Sequence, residues 1–200
     1  MRLCSYVVKF DVGLAPNPFW GVCTLAVCTP NHMGIRTQKG DWFLGTQPVH
    51  KGAKLIYAMQ ISEVLPFEAY YVDPRFEKKK PKRKGPWQER CGDNMYYRDD
   101  KREWQQHPTF NHTEPSHIRQ DLKHPYAFIG ETFYYFGENA VDIPLAYQGL
   151  IRKRQGCKCR HDPETVDSFL HWLAQTFEPG IHGDPGDRPR DQQSAIELTV

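Results

Sequence analysis

The sequence predicts an α+β fold, a small mixed or mainly antiparallel β-barrel with flanking helices and loops. Two observations lead there. Short apolar, β-branched and aromatic runs follow one another through the first third of the chain, separated by turns rich in Pro, Asn and Gly. That spacing leaves no room for the long crossovers a doubly wound parallel sheet requires. The clearest helical pattern comes late, from Asp162 to Phe177, so helix flanks the strands and does not alternate with them.

The elements follow in order. Leu3 to Phe10 reads as a first strand, broken by Pro16, Asn17 and Pro18, and Trp20 to Cys28 as a second. Pro30, Asn31 and Gly34 mark a turn, and Gly40-Asp41 turns the chain into Trp42, Phe43 and Leu44. Leu55, Tyr57, Met59 and Ile61 alternate with Ile56, Ala58, Gln60 and Ser62, which predicts a strand buried on both faces for part of its length. Val64 and Leu65 extend it to Pro66, and Asp73 to Gln88 reads as an exposed loop. Met95 to Arg98 and Glu103 to Gln106 form a hairpin, and the polar stretch from His107 to Lys123 carries no clear period. Tyr126–Ile129 and Thr132–Phe136 predict two strands around Gly130, and Ala140–Leu150 a short strand or helical turn. Asp162, Pro163 and Glu164 start a helix through capping, a preset φ and a favourable charge at the dipole. Its apolar stripe is Val166, Phe169, Leu170, Leu173 and Phe177, and Pro179-Gly180 ends it. Residues 1–180 are expected to form one domain and residues 181–200 a flexible tail.

The chain has 200 residues, 39% of them apolar and 13% aromatic, enough for a core without metals or disulfides. Its net charge of +2 does not by itself indicate nucleic acid. The charge is local: Lys78, Lys79, Lys80, Lys82, Arg83 and Lys84 form one basic run, and Arg152, Lys153, Arg154, Lys158 and Arg160 a second. The six cysteines are expected as free thiols. No export signal and no apolar run of membrane length is evident, which predicts a soluble protein of the cytoplasm, in a bacterium or an infected host cell. GxxxxGK[ST], GxGxxG and HExxH are missing, which argues against those phosphate-loop, dinucleotide and zinc-protease classes.

Several stretches resemble the second of the nucleotide modification associated domain families of bacteria and bacteriophages. They are Tyr6-Val7-Val8, Asn17-Pro18-Phe19-Trp20-Gly21, Gly40-Asp41-Trp42 and Lys54-Leu55-Ile56-Tyr57-Ala58, followed by Tyr70-Tyr71-Val72-Asp73-Pro74-Arg75-Phe76, Cys91-Gly92-Asp93-Asn94 and Phe133-Tyr134-Tyr135-Phe136-Gly137. Their joined order covers roughly residues 1–160 and is what carries the resemblance. It implies a role around modified nucleotides and names no reaction. The strand order is also similar to PUA-like domains, including EVE and YTH, whose small barrel receives a base in an aromatic pocket; this likeness is at the level of fold.

Recognition of a nucleotide or modified base is therefore the leading expectation, linked to DNA modification or to defence. A base needs a flat partner for its face and polar groups for its edge. The candidates are Asn17, Phe19, Trp20, Trp42, Tyr57, Asp93, Asn94, Tyr96 and Trp104, with Lys78, Lys79, Lys80, Lys82, Arg83 and Lys84 as phosphate contacts. The expected partners are a nucleotide or a modified DNA or RNA base and, in one reading, a DNA-modification enzyme, with no membrane and no cofactor. Two alternatives stand beside it: an enzyme acting on a nucleotide or base, and a structural partner of such an enzyme. For the enzymatic reading, Cys91 is a possible nucleophile without a sequence-adjacent activating His. Cys157, Cys159, His161 and His182 lack the paired knuckles of structural zinc. His107, His112, His117 and Asp121 lack a compact facial triad.

Overall fold

The structure, a computed structural model, describes residues 1–28, 34–110 and 112–188. Alternation of side chains along the strands builds two sheets and a separate hairpin. The larger sheet has six strands: β1 (Leu3–Val7), β3 (Trp42–Thr46), β4 (Leu55–Gln60), β9 (Phe133–Tyr135), β10 (Cys157–Lys158) and β11 (Gly180–Ile181). Their order across the sheet is β10-β1-β3-β4-β9-β11. The pairs β1·β3 and β9·β11 are parallel and the others antiparallel. The second sheet is antiparallel, with β2 (Cys23–Leu25), β8 (Tyr126–Gly130) and β5 (Glu63–Pro66) in the order β2-β8-β5. β6 (Tyr96–Arg98) and β7 (Trp104–Gln106) form the hairpin.

The strands are layered according to which face is apolar. Leu3, Trp42, Leu44, Leu55 and Tyr134 point from one face of the large sheet onto α4 (Pro163–Thr176), where Val166, Phe169 and Leu173 complete a core. Cys4, Tyr6, Phe43, Ile56, Met59 and Tyr135 point from the opposite face toward Cys23, Leu25 and Phe128 of the small sheet. The far side of the small sheet presents Ala127 and Ile129 to Phe67 and Tyr70 of α1 (Phe67–Val72), to Phe76 and to Tyr96. Two further helices complete this layer, α2 (Trp87–Arg90) and α3 (Pro115–Asp121).

The expected PUA-like barrel is not formed. A barrel needs its first and last strands to pair, and no sheet among the described residues closes. The large sheet ends at β10 and β11, each two residues long. The physical reason is burial on both faces: helix α4 covers one side and the small sheet the other, so the sheet stays open and is sandwiched. The α+β class stands, with mixed parallel and antiparallel sheets.

Three further local expectations change. Asp73–Gln88 is partly built into the body, because a 3-10 segment Pro74–Lys79 buries Phe76 and Lys79 and α2 buries Trp87. Cys4 and Cys159 form a disulfide where free thiols were expected. Gly180–Ile181 pairs with β9, and backbone bonds from Glu138 to Asp184 (2.8 Å) and from Asp187 to Asp11 (2.8 Å) hold the following residues. The rest of the expected tail, 189–200, lies outside the described residues.

Candidate active site

Most aromatic candidates are used inside the fold. Tyr57 is fully buried, its ring lying where a Cβ on Gly45 would stand 2.3 Å away, and its hydroxyl is bonded to that of Tyr6 at 2.6 Å. Trp42 stacks on Tyr134 at 6.5 Å above α4. Phe19 packs with Trp87 and Cys91. Trp20 is the exception: it is exposed, at φ 66° in the turn that leads to β2, with the Lys78 ammonium 5.2 Å from its ring centroid. Tyr96 and Trp104 line one cavity of about 270 Å³ with Ile118 and Leu122, and the Arg98 guanidinium covers Trp104 at 4.0 Å.

The polar candidates converge on an interior network. Asn17 donates to the Cys91 carbonyl (2.9 Å), and Lys79 Nζ donates to the Asn17 carbonyl (2.9 Å), Asn17 Oδ1 (2.8 Å) and the Val22 carbonyl (2.8 Å). Asp93 accepts from Thr24 (2.7 Å) and Tyr70 (2.8 Å), and Asn94 donates to the Tyr70 and Phe76 carbonyls. Burial lowers Lys79 to about 8 although Asp93 and Cys23 pull it back. Burial likewise raises Asp93 against the pull of Lys79, Thr24 and Tyr70. Lys79 is thus set apart from the rest of its basic run: Lys78, Lys82, Arg83 and Lys84 are exposed, and Lys80 is half-buried, paired with Glu77.

A different constellation faces a cavity. Cys28 follows β2 by three residues and is held at φ 69°. Its Sγ lies 3.1 Å from His112 Nε2, and His112 Nδ1 lies 2.5 Å from Asp121 Oδ2. Asp121 ends α3, is fully buried, accepts from the Tyr96 hydroxyl at 2.7 Å and accepts from the Cys28 backbone N–H at 3.4 Å. The Tyr96 ring is fixed in turn by stacking on Phe67 at 5.6 Å. His112 also sits at positive φ, 55°, with the His117 ring 5.3 Å away. Burial pulls His112 down, but the bonds to Asp121 and Cys28 outweigh it and carry the imidazole up to about 10. A sulfur, an imidazole and an orienting carboxylate in line form the nucleophile–base–orienter arrangement of covalent catalysis.

The cavity beside it measures about 550 Å³. Cys28, His112 and His117 form one wall, and Tyr6, Val8 and Lys9 from the end of β1 another. Phe10 and Phe110 also line it and are exposed, at 64% and 49%. Lys9 Nζ is 5.4 Å from the Phe10 ring, and the Arg90 guanidinium 4.3 Å from the Phe110 ring. The Phe10 and Phe110 rings, the Lys9 ammonium and the Asp187 carboxylate thus line the same cavity as the Cys28 thiol.

Of this site, sequence reasoning singles out Tyr96, His112, His117 and Asp121, the last three as a metal set, and misses Cys28. The sequence signal is weak: a cysteine closing the apolar run Trp20 to Cys28. Its partner lies 84 residues away along the chain. Cys91, the nucleophile that the sequence suggests, is buried and donates to the Val12 carbonyl at 3.0 Å, and burial pushes its thiol up to about 12.

The fold and site together define an α+β protein carrying a Cys–His–Asp arrangement at the edge of two packed sheets. The chain belongs to the nucleotide modification associated domain 2 family, whose model matches residues 1–192. Comparison with curated proteins and with solved structures finds no match. The family is associated with nucleotide modification, and no described helix is long and apolar enough to cross a membrane.

Proposed function

We propose that the protein is an enzyme that processes a nucleotide or nucleic-acid base through a covalent intermediate on Cys28. The observation that carries this reading is the line Cys28 Sγ–His112–Asp121, at 3.1 and 2.5 Å, opening on a cavity large enough for a nucleoside. The sulfur and the imidazole share one proton. With that proton on His112, Sγ is free to form a bond to an electrophilic carbon of the substrate. The imidazolium then gives the proton to the departing group, and a water molecule, passing its own proton to the imidazole, attacks the same carbon and expels the sulfur as the thiolate. Asp121 holds the ring in register and favours its charged form, and Tyr96 holds Asp121.

Phe10 and Phe110 supply faces on which a heterocycle stacks, a contact worth about 1–3 kcal/mol per base. Lys9, which lines the cavity, offers charge to a phosphate. Exposed Trp20 with Lys78 over its ring, and the exposed cations Lys82, Arg83 and Lys84 further along the same basic run, suit contact with a nucleic-acid strand outside this pocket. The family's association with nucleotide modification supports the substrate class.

The test is incubation of the full chain with unmodified and modified nucleotides and short strands, followed by intact-protein mass measurement and product analysis. A mass increase confined to the peptide containing Cys28 is expected. Cys28→Ala should lose both adduct and product with an unchanged melting temperature, and His112→Gln should slow turnover by at least about 100-fold. Product formation undiminished in Cys28→Ala would overturn the proposal.

A further inference from the structure

A second sulfur cluster lies one strand position from the pocket wall. Cys4 of β1 and Cys157 and Cys159 at β10 place their Sγ atoms within 4.8 Å of one another. Antiparallel pairing brings them together: Tyr6 faces Cys157 and Ser5 faces Lys158, so Cys4 and Tyr6 share a face with Cys157 and Cys159. All three cysteines pack on the core between the sheets, Cys4 fully buried and the other two half-buried. The structure joins Cys4 to Cys159, with Cα atoms 4.1 Å apart, and leaves Cys157 free with its Sγ 3.9 Å from that of Cys159.

We propose that in the reduced protein Cys4, Cys157 and Cys159 form a three-thiolate site for a soft divalent transition metal of the zinc type. A zinc–sulfur bond of about 2.3 Å sets tetrahedral sulfurs about 3.8 Å apart. The Cys157–Cys159 separation of 3.9 Å meets that distance. The third sulfur meets it by side-chain rotation once the disulfide opens, because cross-strand pairing already holds the backbones together. A dithiol reductant supplies the two electrons and two protons that convert the Cys4–Cys159 bond to two thiols, itself becoming a disulfide. The metal then displaces three thiol protons. Three thiolates and a divalent ion leave one negative charge, and the Arg152 guanidinium already acts electrostatically on the Cys157 thiol.

His161 is turned away: its Nε2 meets Ser5 Oγ at 3.2 Å and the Lys158 carbonyl at 3.0 Å. The fourth coordination position is therefore left to water or an external ligand. Because Tyr6 lines the Cys28 pocket and pairs with Cys157, a metal here would also fix the pocket wall.

The experiment uses the full chain, reduced with a dithiol, loaded with zinc(II) or cobalt(II) and desalted. One metal ion per chain is expected, with a sulfur-to-cobalt charge-transfer band and a raised melting temperature. Cys157→Ser, half-buried and outside the disulfide, should lose the metal, the band and the melting shift while its metal-free melting temperature matches that of the metal-free wild type. Cys28→Ala should keep all three signals, which separates this site from the Cys28 pocket. The proposal is overturned if the reduced protein takes up no metal, if Cys157→Ser binds as the wild type does, or if Cys28→Ala abolishes binding. A Cys4–Cys159 bond that survives the dithiol overturns it as well, because three thiols then never coexist.

Discussion

Cys28 and His112 both adopt left-handed backbone angles, 69° and 55°, which side chains other than glycine rarely occupy. Such positions cost about 1–3 kcal/mol each and persist where neighbours over-determine them. Here Asp121 bonds to both residues and is itself held by Tyr96. The raised imidazole has a consequence for stability. A histidine whose folded value of about 10 exceeds its unfolded value of 6.5 stabilises the fold fully below 6.5 and loses that contribution as pH rises toward 10. Lys79, lowered to about 8 from 10.5, acts oppositely, adding stability as pH rises above 8. Between pH 6.5 and 8 the contribution of His112 is read as the difference between the wild type and His112→Gln, because His107 and His161, both lowered by burial, act alike in the two proteins. Denaturant titrations there should show stability falling by at most about 1.4 kcal/mol per pH unit more in the wild type than in His112→Gln. Equal slopes in the two proteins would mean that His112 is not held protonated. Lys79 supplies a second residue-scale test. Lys79→Ala strips partners from two buried carbonyls and from the Asn17 amide oxygen and leaves Asp93 without its cation. A loss of about 3–5 kcal/mol in unfolding free energy is expected.

At the scale of elements, α4 owes its position to a cap and a stripe. Asp162 accepts from the Thr165 N–H at 2.9 Å, and Phe169 and Leu173 are fully buried against the large sheet. Asp162→Ala should cost about 1 kcal/mol, whereas Phe169→Ala should cost about 3–5 kcal/mol; chemical denaturation compares them directly. The segment after β11 is docked by backbone proximity. Gly137 has φ 55°, and a Cβ there would stand 2.1 Å from the Asp184 carbonyl oxygen. Gly137→Ala should therefore free residues 182–188 from Asp11 and Glu138. Faster proteolytic cleavage in that segment, with β9 still protected from hydrogen exchange, is the expected reading. The small sheet serves the pocket instead, since β2 delivers Cys28 just past its end, while α3 delivers Asp121.

The whole molecule separates two surfaces. The Cys28 pocket lies between the end of β1 and Phe110, His112, Thr113 and His117, while Trp20 and the exposed cations Lys78, Lys82, Arg83 and Lys84 belong to other loops. Under the proposed function, neutralising those four cations should weaken binding of a nucleic-acid strand. The slope of log affinity against log salt should fall by about one for each phosphate left without its cation. Mononucleotide processing at Cys28 should be unaffected. A strand affinity and salt slope that do not change would remove the loop from the interface.

Local signals were enough for much of the framework. Alternation along Leu55–Ile61, the Asp162-Pro163-Glu164 helix start and the β6–β7 hairpin are encoded within a few residues of themselves, because strand pleat, helix caps and short turns are short-range physics. The ordered motifs also pointed to the family that the match over residues 1–192 establishes. Tertiary packing decided the rest. Whether the sheet closed depended on what covered each of its faces, and two-sided burial kept it open. Lys79 read as one more cation in a solvated run until a 3-10 segment drew it inside to Asn17 and Val22. Cys28 met His112 and Asp121, 84 and 93 residues away in the chain, only because the chain just past β2 packs against the end of α3. Hydrogen bonds and sulfur contacts act over a few ångströms in space, whatever the distance along the sequence, so the chemistry assembled only when the layers packed.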